Sequence, residues 1–244
     1  MTTTRIRTFV QCVLMGLAGA APASADEIIS TFSGGIHVDG TTSPGFFNYF
    51  VGYSVPSTPA ERRNYFIFDL AGITTPVASA KLKLFLPGGP SMVSGFISSE
   101  PTEDYRISGS PFPSTAYATA FGGGAPGPLL SAMFPTMGAG PAYGLKTISG
   151  DASGTDIEID LSIAAILDIN ASLGSMFLIT GRLSDIHPAA PGTPPSELVF
   201  AYTDIPDPLI PFPRLELTFV PAPGACVPLA VAGMALLIRR RRSS

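Results

Sequence analysis

Charge is scarce in this sequence, and so are the residues that form disulfides and metal sites. Only 13% of the 244 residues are charged, about half the usual share of about 25%. Tryptophan is absent, and the two cysteines, Cys12 and Cys226, lie in apolar segments near the two ends. The region between them must therefore be stabilised by its own core. With His37 and His187 as the two histidines, no zinc-ligand spacing occurs, so we predict no metal or cofactor.

The charges that are present are unevenly distributed. Six of the 14 basic residues lie at the two ends, whereas all 18 acidic residues lie between Asp26 and Glu216. Segment 26–219 therefore has eight basic and 18 acidic residues, a net charge of −10. Affinity for nucleic acids comes largely from Lys and Arg side chains that displace counterions. We therefore predict that this region does not bind nucleic acid.

The N-terminus has the three parts of a secretory signal peptide. Arg5 and Arg7 precede an apolar stretch over residues 9–21, and Ala23 and Ala25 supply small side chains for a signal peptidase. We predict a signal peptide over 1–25, cleaved so that the mature chain begins at Asp26. The alternative is an amphipathic core helix, which would not explain the cleavage pattern.

The C-terminal segment, 220–244, also has three parts. A short proline motif precedes an apolar run that ends at residue 238, and four arginines follow at once. Counted from Phe219, the apolar stretch has 20 residues, about enough to cross a bilayer core of about 30 Å. The arginines should stay cytoplasmic, which places segment 26–219 outside. The alternative is a buried terminal helix with a basic end. The motif and basic residues are Val220, Pro221, Ala222 and Pro223, then Arg239, Arg240, Arg241 and Arg242.

This tail resembles the PEP-CTERM sorting signal, which combines a proline-containing motif, an apolar transmembrane stretch and an arginine-rich end. The resemblance covers roughly the last 25 residues. It implies processing by an exosortase-type membrane enzyme in a Gram-negative bacterium that makes exopolysaccharide. The family's usual Glu between the prolines is Ala222 here, which bears on the subtype of that enzyme. Cys226 also departs from the commonest pattern of the family. It is either a plain apolar residue or a lipidation site.

Segment 26–219 has the period-two alternation of half-buried strands. The alternation is strong in 64–70, 81–86, 156–161 and 214–219, and weaker in 28–32, 105–107, 176–183 and 198–202. These eight segments, joined by Gly- and Pro-rich turns, predict an all-β fold, an antiparallel β-sandwich.

One short helix is predicted over 163–173. Ser162 can cap its N-terminus and Gly174 can end it. Ile163, Ile166, Leu167 and Leu173 fall on one face at helical spacing. A single short helix fits a sandwich better than an α/β fold, which needs several helices.

Segment 64–86 resembles the opening hairpin of a jelly-roll domain, a fold that recurs in secreted bacterial wall and carbohydrate-associated proteins. Segment 156–179 is similar to bodies that carry PEP-CTERM tails. The resemblance implies a jelly-roll-like sandwich, and a fold by itself does not give a function.

A long segment between Gly109 and Gly144 is rich in Gly, Pro, Ala and Ser, which predicts a loop. Its aromatic residues have two interpretations. They either form a sugar-stacking surface or pin the loop to the sandwich, and pinning is favoured because large aromatic side chains are mostly buried. The aromatics in or beside this segment are Tyr105, Tyr117, Phe121, Phe134 and Tyr143, of which Tyr117, Phe121 and Tyr143 are the candidate ligand-binding residues.

No nucleophile motif or phosphate loop is present. Glu100, Glu103 and Asp104 could supply the two carboxylates of a glycosidase, but any acidic loop meets that condition. A second acidic group could ligate calcium, although a flat strand does not supply converging oxygens, so a solvated strand face is favoured. This second group consists of Asp151, Asp156, Glu158 and Asp160.

The sequence therefore predicts an exported, non-catalytic structural or binding protein of the cell surface or exopolysaccharide matrix. The alternative is a secreted carbohydrate-active enzyme on a β-sandwich scaffold. A simple membrane-tethered receptor would differ only in the fate of the tail. The expected partners are the processing enzyme, the membrane through the tail, and exopolysaccharide or further copies of the chain.

Overall fold

The computed structural model describes residues 25–44, 49–54, 60–88, 95–186, 196–200 and 211–221. The chain divides into two units, Ala25–Thr218 and a second made of Met1–Ser24 and Phe219–Ser244. Apart from Ala25, the predicted signal peptide lies outside the described residues, and so does the predicted tail beyond Pro221. Among the helices that the structure describes, none is long and apolar enough to span a membrane.

The unit Ala25–Thr218 consists mostly of antiparallel β-structure, as the alternation predicts. The strands of the described part are β1 (Ala25–His37), β2 (Thr42–Pro44), β3 (Val51–Ser54), β4 (Ala60–Asp69), β5 (Val77–Leu86), β6 (Phe96–Ile97), β7 (Thr102–Ser108), β8 (Ala142–Ser149), β9 (Thr155–Asp160), β10 (Met176–Leu183), β11 (Glu197–Val199) and β12 (Arg214–Phe219). The α-helices are α1 (Ser114–Phe121), α2 (Gly127–Met133) and α3 (Ile163–Ala171), with short 3-10 helices at Phe134–Thr136 and Gly150–Ala152. Seven of the predicted strand segments are confirmed, and the eighth, 198–202, overlaps β11 and ends outside the described residues.

Strand β1 belongs to two sheets. Its first half pairs with β12, from Ala25 opposite Thr218, and its second half pairs with β4, ending with His37 opposite Arg62. The register shifts between Ser30 and Phe32, where the strand passes from one sheet to the other. The first sheet continues from β12 to β5 and β9. In the second sheet, β4 also pairs with β10 and with β3. On one side the sheet continues from β10 to β7 and β8, and on the other it continues from β3 to β11 and β6.

A first core forms where aromatic rings meet beside β4 and β7. The ring of Tyr49 lies 5.5 Å from that of Phe66 and 5.7 Å from that of Phe200, and Tyr105 lies 5.2 Å from Phe200. The Tyr49 hydroxyl also donates to the carbonyl of Phe85 in β5, over 3.0 Å. This contact ties β5 of the first sheet to the aromatic core beside the second.

A second core lies on the other face of the second sheet, beneath α1 and α2. Ile36, Tyr65 and Ile67 of the strands pack there with Tyr117 and Met133 of the helices. Each such large buried side chain stabilises the fold by about 1.5–3 kcal/mol. Both faces of β10 are consequently buried along most of its length, whereas the half-exposed strand β12 alternates throughout and β5 alternates from Ala80 onward.

The prediction of a single helix is wrong, because segment 109–144 contains α1, α2 and a 3-10 helix. Several of its prolines and glycines lie at helix ends. Pro113 and Pro126 are the N-caps of α1 and α2, both with extended backbone, and Gly122 follows the last residue of α1. A proline ring does not interfere with a helix that starts just after it.

Helix α3 begins as predicted, but it presents a different face. Ser162 accepts a hydrogen bond from the backbone amide of Ala165, and the positive φ of Gly174, 80°, follows the end of the helix. The buried residues are Ala165 and Ile169. Ile163, which was predicted on the apolar face, is 80% exposed.

Candidate ligand-binding pocket

A pocket of about 300 Å³ opens between α3, the start of β10 and the segment that leads into α1. This volume is at the lower end of the range for small-molecule sites. Aromatic rings, three serine hydroxyls and one carboxylate meet there, a combination that suits a small polar ligand. The lining residues are Ser110, Phe112, Ser114, Tyr143, Asp168, Ala171, Ser172, Met176, Phe177 and Leu178.

Tyr143 and Asp168 form the polar centre of the pocket. The Tyr143 hydroxyl donates to Asp168 Oδ2 over 2.5 Å, and the tyrosine ring stacks on Phe177 with centroids 5.8 Å apart. Burial, and then the hydrogen bond to Asp168 and its charge, raise the pKa of Tyr143. The hydroxyl therefore stays protonated at neutral pH and holds the carboxylate in place. A carboxylate has about four acceptor positions, so Asp168 can still accept hydrogen bonds from a ligand.

Ser110, another lining residue of the pocket, makes two hydrogen-bond contacts. Its Oγ lies 2.9 Å from the hydroxyl of Tyr117 and accepts the backbone amide of Phe112 over 3.1 Å. Tyr117 is fully buried in the second core. The serine thus connects the pocket wall to the helix layer.

The three predicted binding aromatics have different positions. Tyr143 lines the pocket. Tyr117 does not line it but is hydrogen-bonded to the lining residue Ser110, and Phe121 packs against Phe32 with ring centroids 5.2 Å apart. Tyr117 and Tyr143 are 0% and 3% exposed, so their rings are not presented on an exposed loop. Tyr117 lies in α1 and Tyr143 in β8, so both belong to regular elements.

The acidic candidates on β7 do not converge. Glu103 is buried and accepts the hydroxyl of Ser98 over 2.5 Å. Its neighbour Asp104 is exposed and accepts the hydroxyl of Thr147 over 2.6 Å. Adjacent residues of one strand lie on opposite faces of the sheet, so Glu103 and Asp104 cannot flank one glycosidic bond. Glu100 is exposed beyond the strand.

The acidic residues of β9 lie beside cations of the first sheet. Glu158 pairs with Lys81 at 2.7 Å, and Asp156 pairs with Arg214 of β12. Asp160 lies two residues further along the same exposed edge, and Asp151 lies in the 3-10 helix before β9. Within the described ranges, no three His, Cys, Asp or Glu side chains are grouped to hold a metal ion.

The remaining predicted sites lie mainly at the chain ends. Ala25 is the first residue of β1, and Val220 and Pro221 follow β12, with Val220 46% exposed. His37 is buried at the end of β1. The other members of these sets lie outside the described residues, namely Ala23, His187, Ala222, Pro223 and Arg239, Arg240, Arg241 and Arg242.

No protein-family model matches this chain, and no curated protein matches it. The resemblance of the tail to a sorting signal therefore rests on residues 220–244 themselves.

Proposed function

We propose that this chain is an exported, non-catalytic protein of the bacterial cell surface or exopolysaccharide matrix, which binds an uncharged sugar unit. The observation that carries the binding role is the pocket in which the Tyr143–Asp168 pair meets serine hydroxyls and aromatic rings. The export role rests on the signal-peptide pattern of residues 1–25 and on the tail.

The chemistry of the pocket suits a sugar. Asp168 accepts hydrogen bonds, Ser114 and Ser172 both donate and accept them, and sugar hydroxyls do the same. The apolar C–H faces of a sugar ring can pack against Phe112 and Met176. An uncharged ligand also suits the net charge of −10 over residues 26–219, which repels a polyanion.

Binding is favoured over cleavage because glycoside hydrolysis normally needs two carboxylates, about 5–5.5 Å or 6.5–9.5 Å apart. Among the described residues that line the pocket, Asp168 is the one acid. The alternative, a secreted carbohydrate-active enzyme, would need a second carboxylate in the same pocket.

We propose further that the two sheets pack as a jelly-roll-like sandwich. This arrangement is supported by β1, which pairs in both sheets, and by the hydrogen bond from Tyr49 to the Phe85 carbonyl.

The tail of this proposed protein spans the membrane until an exosortase-type enzyme processes it. The test is fractionation of the producing cells, with intact-mass measurement of the chain in each fraction. We expect a surface or matrix fraction whose chain begins at Asp26 and lacks the basic end. A cytoplasmic chain that retains Met1 would contradict export.

The sugar-binding role is tested by affinity electrophoresis of the full chain in gels that contain neutral polysaccharides. We expect retardation that Asp168→Asn weakens, because asparagine keeps one acceptor oxygen for Tyr143 but loses the charge. Asp151→Asn is the matched control, since it removes the same charge from an exposed position away from the pocket. Equal mobility of all three proteins would refute the binding role. Release of reducing sugar that Asp168→Asn abolishes would favour the enzyme.

A further inference from the structure

Two arginines face each other across neighbouring strands of the second sheet. Arg182 of β10 lies directly opposite Arg106 of β7 in the antiparallel register. Side chains in this relation share one face of the sheet and approach closely, so like charges there repel. Burial, and then the charges of Arg63 and Arg106, lower the pKa of Arg182, which places a third guanidinium nearby.

Neither arginine is neutralised from within the protein. Over the described residues, Arg106 and Arg182 take part in no ion pair, and the Nε atom of each is buried without a hydrogen-bond partner. Segment 26–219 has 18 acidic residues against eight basic ones, so an unpaired arginine pair is unexpected. Four other cations of the unit do form ion pairs: Arg63 with Glu61, Lys81 with Glu158, Lys83 with Glu216 and Arg214 with Asp156.

Among the described residues, no acid near the pair forms an ion pair with either arginine. Glu61 is held by Arg63 at 2.7 Å, and Asp104, two residues before Arg106, accepts the hydroxyl of Thr147 but does not come within ion-pair distance of Arg106. The charge of Asp185 raises the pKa of Arg182. Its carboxylate nevertheless does not come within ion-pair distance of the Arg182 guanidinium. The positive charge of the two opposed guanidiniums is therefore left for another group.

The stem of Arg182 is held in place by the turn after the 3-10 helix Phe134–Thr136. A Cβ added at Gly138 would lie 2.4 Å from Arg182 Cγ, so the Gly138 backbone packs directly on the aliphatic part of the arginine. Gly138 is fixed in turn by its amide, which donates to Thr180 Oγ1 over 3.1 Å. A side chain already held in position loses less entropy when it binds a ligand.

We propose that Arg106 and Arg182 together bind one small oxyanion, a carboxylate or sulfate that is either carried by an acidic sugar or free in solution. The planar guanidinium fork matches such an oxyanion with two parallel hydrogen bonds. A bound oxyanion would supply acceptors for the donors of the two guanidiniums and offset their repulsion. A long polyanion is disfavoured by the net charge of −10. The arginine site shares no residue with the sugar pocket and does not depend on the proposed sugar-binding function.

The experiment is isothermal titration of the full chain with sodium sulfate and, separately, with sodium glucuronate. Ionic strength is held constant with sodium chloride, because screening changes with salt, and glucose serves as the uncharged arm. We expect saturable binding of sulfate that the arginine variants weaken, whereas the heat from glucose, which belongs to the sugar pocket, should be the same in the wild type and in the arginine variants. Saturation by glucuronate as well assigns the site to acidic sugars, and saturation by sulfate alone assigns it to free oxyanions.

The variants are Arg106→Gln and Arg182→Gln, with Lys146→Gln as the matched control. Lys146 is an exposed cation on the neighbouring strand β8, opposite Tyr105, so its loss changes the net charge equally. Each arginine variant should weaken sulfate binding at least about tenfold, the factor that a difference of 1.4 kcal/mol gives, whereas Lys146→Gln should bind as the wild type does.

Folding of the variants is checked by thermal melts without added anion. Removal of one of two repelling charges should leave the melting temperature unchanged or higher. The proposal is overturned if sulfate binds all four proteins equally, or if neither sulfate nor glucuronate binds the wild type.

Discussion

Replacement of Gly181 by alanine should destabilise the protein strongly, because a buried hydrogen bond passes directly over this glycine. A Cβ at Gly181 would lie 2.1 Å from Tyr105 Oη and 2.4 Å from Asn64 Oδ1. In the native core the Tyr105 hydroxyl donates to Asn64 Oδ1 over 2.8 Å, and Asn64 Nδ2 donates to the carbonyl of Tyr49 over 2.8 Å. All of these groups are buried, so the added methyl group cannot be accommodated unless the pair separates.

The expected cost has two parts. Overpacking of a well-packed core costs about 1–3 kcal/mol, and a buried polar group that loses its partner costs about 1–3 kcal/mol more. Gly181→Ala should therefore lower the free energy of unfolding by about 2–6 kcal/mol. For a domain of this size, that corresponds to a melting temperature lower by about 5–20 °C. Circular dichroism during thermal and urea unfolding measures both quantities.

Two further variants separate this mechanism from a general effect of alanine. Gly72→Ala is the matched control, since a Cβ at Gly72 would meet no atom within 4 Å, and it should be neutral or stabilising by up to about 1 kcal/mol. Tyr105→Phe removes the hydroxyl that the new methyl group meets, so Gly181→Ala should cost less in that background than in the wild type. If Gly181→Ala and Gly72→Ala have the same melting temperature and the same free energy of unfolding, the proposed clash is refuted.

Two other variants are expected to change stability. Burial, then the charge of Arg62, lower the pKa of His37 from 6.5 to about 4, against a smaller opposing effect of Asp39. The unfolded chain binds this proton more readily than the native one between those values, so the free energy of unfolding should fall as the pH falls from 6.5 to 4. His37→Gln should flatten that slope in urea titrations, and an unchanged slope would assign it to other groups. Ser162→Ala removes the cap on the Ala165 amide and should cost about 1 kcal/mol of unfolding free energy. Ser162→Thr keeps the hydroxyl, so a threonine variant as unstable as the alanine variant would contradict capping.

The strands could be predicted wherever one face is buried and the other is exposed to solvent. In β5, Leu82, Leu84 and Leu86 are buried on one face, while Lys81 and Lys83 on the other face pair with acids of the neighbouring strands. The weaker pattern of β10 has a physical cause, because the helix layer covers its second face. Strands β2, β3 and β6 have only two to four residues, too few for a period of two to be recognised.

Helices α1 and α2 could not be predicted because they are short and the residues that end them resemble loop residues. They have eight and seven residues, about two turns, which is too short for a helical stripe to stand out. Pro126 and Pro128 frame the start of α2, and a cluster of proline and glycine is a loop signal in most sequences.

The pocket and the arginine site depend on contacts that no local pattern encodes. Tyr143 and Asp168 are 25 residues apart in a strand and a helix, and the tyrosine could be nominated only as one aromatic among several. Arg106 and Arg182 meet because β7 and β10 pair in one particular register, and a shift of one residue would place them on opposite faces. Register follows from the whole sheet rather than from either strand.

The orientation of α3 shows why a correctly located element can still be predicted with the wrong face inward. Hydrophobicity alone favours burial of Ile163 and Leu167, yet these side chains are 80% and 65% exposed, which forgoes roughly 2–4 kcal/mol of burial. Polar contacts fix the rotation instead. Asn170 donates to the carbonyl of Val77 over 3.0 Å and accepts its amide over 2.8 Å, so the helix end is joined to the start of β5 as a strand would be. In that rotation Asp168 reaches Tyr143. The same contacts that expose two large aliphatic residues therefore bring the carboxylate into the pocket.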